Sequence, residues 1–206
     1  MSFAWEFSVD RRVIGVDECG VGPIAGPLFA AAVLLPEREQ GADVPELSLV
    51  RDSKTLREDI VYAAAQQVIG YASRWACLSI AVHPDLSKWP LKLMACAAER
   101  VAHGCGVLPL IVVDGDRRLP ISHDQRVLVQ GDSRCLEIAC ASVIAKHLRD
   151  EHMRELDMVY PQYGFAKHKG YPTKEHVEAV CKHGMSPVHR IGPTEKALAT
   201  YAGKAG

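Results

Sequence analysis

Three segments of this 206-residue chain run from apolar residues into carboxylates, and this pattern limits the possible fold more than any other feature. Residues 13–18 (VIGVDE) read as a buried strand ending at Asp17 and Glu18. Residues 110–114 (LIVVD) read as another, ending at Asp114, and a weaker strand over 127–131 leads into Asp132. Short, continuously apolar runs suit strands covered on both faces. The segment 28–35 (LFAAAVLL) is a further strand, pairing antiparallel with 13–18 across the turn GVGPIAGP. A looser alternation over 75–82 suits one more. Residues 36–52 read as a loop. Helical spacing marks 56–69 with Gly70 as its stop, then 91–102 and 136–156. Another helix over 173–183 opens on a threonine cap and stops at Gly184. Strands come mostly first and helices dominate the second half, so an α/β or α+β sheet with packed helices is expected.

Composition narrows the class. At 48% hydrophobic and 24% charged residues the chain is too apolar to be disordered. Its longest apolar run, eight residues, is too short to span a membrane. No basic segment leads into an apolar stretch at the N-terminus, so no secretory signal is expected. Seven cysteines without any CxxC argue for free thiols in a reducing cytoplasm and against a zinc site. The net charge of −1 does not advertise a polyanionic partner. Residues 160–206 hold 7 Lys/Arg against 3 Asp/Glu, which suits phosphate and equally a solvated surface.

The chemistry follows from the acids. Two carboxylates about 4 Å apart repel by roughly 4 kcal/mol at an effective dielectric near 20. Four gathered at one sheet edge either take up protons or are held by a cation. Oxygen-only ligands suit Mg²⁺ or Mn²⁺, and pairs of such ions drive in-line phosphoryl displacement. Any one of the acids, taken alone, is better explained as an exposed turn residue; the four together at strand ends favour the cluster. Gly20, Gly22 and Gly26 superficially match a dinucleotide loop, but Pro23 and Pro27 sit where the following helix should run. A turn that lets backbone amides approach a substrate fits better. Ser53 and Lys54 pair a hydroxyl with an ammonium, as phosphate binding requires. Lys167, Lys169 and Tyr171 interleave charge with a ring, as a nucleic-acid strand would need.

Five segments, GVDECGVGPIAGP (15–27), DSKTL (52–56), VDG (113–115), QGDSRCLEIACASVIAKHLRDEHM (130–153) and YPQYGFAKHKGYPTKEH (160–176), together resemble the ribonuclease HII family in order and spacing. The resemblance implies a ribonuclease H-like α/β fold: a five-stranded mixed sheet flanked by helices, with extra C-terminal helices. It implies one catalytic domain over 1–206, with a helical extension from about residue 160. It further implies hydrolysis of RNA in RNA–DNA hybrids and incision beside ribonucleotides in DNA, leaving a 5′-phosphate and a 3′-hydroxyl. Asp17, Glu18, Asp114 and Asp132 fall on the family's catalytic, metal-holding carboxylates. Tyr171 falls on the tyrosine beneath the junction ribose, and Gly20, Val21, Gly22, Ser53, Lys54 and Lys169 fall at substrate-contacting positions. A monomer is expected. The alternative is a hybrid-binding protein with little turnover.

Two departures stand out against the resemblance. The family usually has Gly-Arg-Gly where this chain has Gly20-Val21-Gly22. A lost charge-assisted hydrogen bond of roughly 1.5–3 kcal/mol would weaken single-ribonucleotide incision by about 10- to 100-fold. His189-Arg190 is followed by Ile191-Gly192-Pro193, where a further arginine, a serine and a phenylalanine are usual. Cys19 reads as a small buried filler, since hard Mg²⁺ avoids thiolate.

Overall fold

A computed structural model describes residues 11–37, 44–50, 56–83 and 86–205. Strands β1 (Val13–Cys19), β2 (Leu28–Leu34) and β3 (Arg74–Ile80) form an antiparallel meander. Strand β4 (Leu110–Asp114) joins the other side of β1 in parallel, and β5 (Gln125–Leu128) runs parallel to β4. The result is a five-stranded mixed sheet in the order β3-β2-β1-β4-β5. Helix α2 (Pro90–Ala102) covers one face, packing on Ile14, Val16, Ala30, Ala32 and Val113. Helices α1 (Glu58–Tyr71) and α3 (Leu136–Val159) cover the other, where Ala31 and Val33 meet Ala64, Val68 and Val143. Burial on both faces explains why β1, β2 and β4 read as continuous apolar runs. The C-terminal helices α4 (Phe165–His168), α5 (Lys174–His183) and α6 (Ile191–Ala205) follow. Among the described residues no helix is long and apolar enough to cross a membrane.

Three sequence expectations shift. Gly70 does not stop α1, which continues to Tyr71, because residue 70 faces open space and a helix can carry glycine there. The strand expected over 127–131 lies at Gln125–Leu128 instead, paired with Ile111–Asp114. Asp132 therefore sits not at a strand end but in a 3₁₀ turn, Gly131–Ser133, entered through a left-handed Gln130. Helix α6 carries a Gly-Pro pair, Gly192-Pro193, within its first turn, which hides its start from a periodicity reading although proline is well tolerated there.

The tightest contact in the fold is between β1 and α3. A Cβ at Gly15 would lie 2.1 Å from the Glu137 carbonyl carbon and 2.3 Å from the Ile138 nitrogen. Both obstacles are helix backbone, so the helix itself would have to move.

Three buried histidines knit the C-terminal helices together. His168 stacks on His176 with ring centroids 4.2 Å apart, and His176 Nε2 lies 3.1 Å from His189 Nε2. Their remaining nitrogens meet main-chain and hydroxyl partners: the Tyr163 and Tyr171 carbonyls, the Gly170 amide and Ser186. Burial pushes the His176 and His189 pKa values down to about 4, with neighbouring imidazoles adding to the effect. Burial also lowers that of His168. All three are therefore neutral at pH 7.

Two expectations follow. Gly15→Ala should cost about 1–3 kcal/mol or more through overpacking and lower the melting temperature by several degrees. Gly70→Ala, with open space around it, should leave the melting temperature unchanged or raise it. The second concerns pH. His176 and His189 have folded pKa values of about 4 against roughly 6.5 when unfolded. Below about pH 6.5 the unfolded chain binds more protons, so this contribution to stability is complete above that pH and declines towards pH 4. Asp17, described below, acts with the opposite sign. Denaturant midpoints at pH 7, 6 and 5 should therefore fall less steeply for His176→Gln than for the parent; equal slopes would contradict the assignment.

Candidate active site

The parallel register decides the geometry of the acids. Val16 of β1 lies opposite Val113 of β4, so Asp17 and Asp114 leave adjacent strands at the same level. Strand alternation puts Asp17 on the same face as Gly15, and Asp114 on the same face as Val112, both towards α3. Both acids stand at the C-terminal ends of parallel strands, where open α/β sheets place ligands.

Asp17 is only 3% exposed. Its Oδ1 accepts the Glu18 amide at 2.8 Å, and Ser142 of α3 also hydrogen-bonds to it. Burial nevertheless raises its pKa well above the usual carboxylate range, and the charges of Glu18 and Asp114 raise it further. Asp114 Oδ1 accepts the Gly131 amide at 2.7 Å. That bond fastens the end of β4 to the turn carrying Asp132, which is also buried. A Cβ at residue 131 would lie 2.5 Å from Ile138 Cδ1 and 3.3 Å from Asp114 Oδ1, so glycine is what lets the turn close on the acid. Among the described residues, no three His, Cys, Asp or Glu side chains are grouped so as to hold a metal ion. Cys19, the next residue along β1 after Glu18, is only part-buried at its surface, yet burial of its thiol pushes its pKa up to about 11. It stays protonated at neutral pH.

Beside the acids lies the loop of residues 20–27. Gly20 has φ +102°, and a Cβ there would meet the Arg149 side chain at 2.3 Å. Val21 is 53% exposed. A Cβ on Gly22 would rest 3.6 Å from Tyr171 Cε1, so loop and tyrosine share one edge, with Tyr171 48% exposed. Lys169 behaves differently from the sequence reading. It takes a left-handed conformation, its Nζ lies 2.9 Å from Glu58 Oε1, and it also bonds the Ala166 carbonyl. Its charge is committed to α1 rather than offered to solvent. Ser53 and Lys54 lie outside the described residues.

The sequence reading missed Ser142, Gly131, Arg149 and the inward role of Arg190. Ser142 and Arg149 occupy the buried stripe of α3, where a polar residue among apolar ones was the available signal. Nothing local marks Arg190 as buried.

The comparisons with known proteins agree with this geometry. The family model described as Ribonuclease HII matches residues 14–194. A ribonuclease HII of Vibrio vulnificus (strain YJ016) is 38% identical over 189 residues, covering 90% of this chain and 88% of its own. That of Neisseria meningitidis serogroup B (strain ATCC BAA-335 / MC58) is 41% identical over 193 residues, covering 91% and 96%. The crystal structure of the ribonuclease H2 from Pyrococcus horikoshii OT3 superposes with a TM-score of 0.68 at 22% identity, covering 93% of this chain and 99% of that one. The crystal structure of Bst-RNase HIII in complex with Mn²⁺ gives 0.63 at 19%, covering 92% and 70%. With the family match spanning the sheet, the acid-bearing turn and the C-terminal helices alike, the chain belongs to the ribonuclease HII family.

Proposed function

We propose that this chain is a metal-dependent endoribonuclease that hydrolyses the RNA strand of RNA–DNA hybrids, leaving a 5′-phosphate and a 3′-hydroxyl. The observation that carries the reading is Asp17, a buried carboxyl under the charge of two further carboxylates. Such a group needs either a proton or a cation. The donor set of Asp17, Glu18, Asp114 and Asp132 is all oxygen, which fits Mg²⁺ or Mn²⁺ and not a thiolate-loving ion. Divalent ions, when bound there, supply charge that favours attack by water and departure of the 3′ oxygen.

The protein's own groups hold and orient. Ser142 and the Glu18 amide keep the Asp17 carboxylate available by opposing its protonation. The Gly131 amide aims the Asp114 carboxylate. Gly20, Val21 and Gly22 offer backbone to the substrate, and Tyr171 offers a ring beside Gly22. Lys169 contributes by holding the segment before Tyr171 against Glu58. Ser53 and Lys54 complete the phosphate contacts in this reading. The chain acts as a single catalytic domain and a monomer in the cytoplasm; its seven cysteines, none of them in a disulfide, fit a reducing compartment. A hybrid-binding protein without turnover fits less well, because carboxylates gathered beside a phosphate backbone oppose binding unless a cation offsets them.

Val21 adds a specificity. An exposed apolar side chain stands next in sequence to Gly22, the glycine beside Tyr171, with no cation of its own to offer. The reading is that long RNA tracts are cut well and a lone ribonucleotide in DNA is incised poorly.

The test compares two labelled duplexes, one with a single ribonucleotide and one with a run of at least four, in Mg²⁺ and in Mn²⁺. Cleavage of the long tract that chelation abolishes is expected; no cleavage of either by folded protein would defeat the reading. Asp17→Asn should reduce cleavage by more than about 100-fold. The same change removes a buried, repelled charge, so in metal-free buffer at pH 8 it should raise the melting temperature by a few degrees. Val21→Arg should improve single-ribonucleotide incision relative to tract cleavage by about 10- to 100-fold, matching roughly 1.5–3 kcal/mol. An unchanged ratio would remove Val21 from the account of specificity.

A further inference from the structure

The loop 20–27 is held from beneath by two arginines that form no ion pair among the described residues. Arg190 is 4% exposed and Arg149 1%. Arg190 donates from Nε to the Gly26 carbonyl at 3.0 Å and from Nη2 to the same oxygen at 2.7 Å. Its Nη1 donates to the Val21 and Pro23 carbonyls at 3.0 and 2.9 Å, and Nη2 also reaches Pro27 at 3.3 Å. Arg149 donates to the Pro27 and Ala25 carbonyls at 3.2 and 3.4 Å. The Ile24 carbonyl takes the Arg190 amide at 2.8 Å and the Thr194 hydroxyl at 3.1 Å. Every carbonyl from Pro23 to Pro27, and that of Val21, is thus drawn inward.

The amides divide in a complementary way. Those of Ile24 and Gly26 are bound, to the Gly170 and Val188 carbonyls. Pro23 and Pro27 have none. Among the described residues no acceptor is seated on the amides of Gly20, Val21 or Gly22. A peptide unit whose carbonyl points one way presents its amide the other way. Fixing the Val21 carbonyl inward therefore fixes the Gly22 amide outward, beside Tyr171.

We propose that Arg190, backed by Arg149, is a positioning residue for substrate reading: its planar guanidinium sets the carbonyls of Val21, Pro23, Gly26 and Pro27 and so aims the Gly22 amide at the nucleic acid. The inference rests on the ribonuclease reading above and adds a cause for the loop's conformation that lies outside the substrate path. The planar fork is the operative feature. A lysine ammonium carries the same charge on a point and cannot span four carbonyls on two edges. The charge matters less, because it is already wrapped in carbonyl dipoles.

The experiment measures KM and kcat for both duplexes with the parent, Arg190→Lys, Arg190→Gln and Thr194→Val, alongside melting temperatures. Arg190→Lys and Arg190→Gln should each raise KM for the single-ribonucleotide duplex by at least about tenfold, with a smaller fall in kcat. Thr194→Val preserves shape and removes one loop anchor, and should raise KM about threefold. It keeps the test decisive if both Arg190 variants unfold. Phe165→Leu, in the apolar cluster below the loop, controls for lost stability and should lower the melting temperature without moving KM. Folded Arg190→Gln with KM within twofold of the parent would overturn the proposal. So would full rescue by Arg190→Lys, which would assign the effect to charge, or an unmoved KM in Thr194→Val where the Arg190 variants do not fold. A parent that cuts neither duplex would instead defeat the ribonuclease reading and this inference with it.

Discussion

Helix α3 approaches strand β1 so closely that residue 15 has no room for a side chain. Much of the site depends on that approach. It brings Ser142 within hydrogen-bonding reach of Asp17 and carries Arg149, two turns further on, beneath the glycine loop. It also fixes the turn before the helix, where Gly131 wedges between Ile138 and Asp114 and leaves Asp132 beside them. One helix thus sets the surroundings of acids from three separate segments. Packing at backbone distance is stiff, since neither partner has a side chain that could rotate away.

The electrostatics divide sharply between the sheet edge and the loop beside it. At the edge, Asp17 is buried with like charges nearby and is destabilised for it. Under the loop, Arg149 and Arg190 are equally buried, with carbonyl oxygens rather than carboxylates around them. Burial and the neighbouring Arg149 lower the Arg190 pKa to about 10, so it remains charged at neutral pH. Had the arginines paired with the acids, both sets would have been neutralised and neither would serve a polyanion or its cations. Carbonyl dipoles solvate the guanidiniums, amide and hydroxyl donors meet Asp17 and Asp114, and each set keeps its separate task.

The C-terminal helices complete the site from the other side. The neutral histidines hold Tyr171 through its carbonyl and through the segment before it. Gly170 has its place for the same reason as Gly15: a Cβ there would lie 2.4 Å from the Ala25 carbonyl oxygen. The tyrosine and the glycine turn are therefore parts of one packed unit, although about 150 residues separate them in the chain. Changes at the exposed positions Val21 and Ile191 can alter what that unit reads without disturbing how it is held, because both side chains point away from the buried contacts.

Much of this was legible in the chain. Continuous apolar runs ending in acids gave β1 and β4, because burial on both faces leaves few other arrangements, whereas the level of Asp17 and Asp114 came from the register between them. Thr173 and Gly184 bounded α5, since caps are local chemistry. The long motifs identified the family. The sequence misplaced β5 and with it the setting of Asp132, because four residues with two exposed carry almost no periodic signal. It read Lys169 as a contact for a nucleic-acid strand and did not see its ion pair, because the partner, Glu58, lies over a hundred residues away. It noted Arg190 only as the residue before a departure from the family pattern, because the carbonyls it holds belong to a loop more than 160 positions earlier. The sequence by itself determined which groups could do chemistry and which segments were strands or helices, because these follow from local composition and period. Only the tertiary structure decided which charges are matched, which carbonyls and amides face inward, and which acid is buried, because those depend on neighbours that no local pattern names.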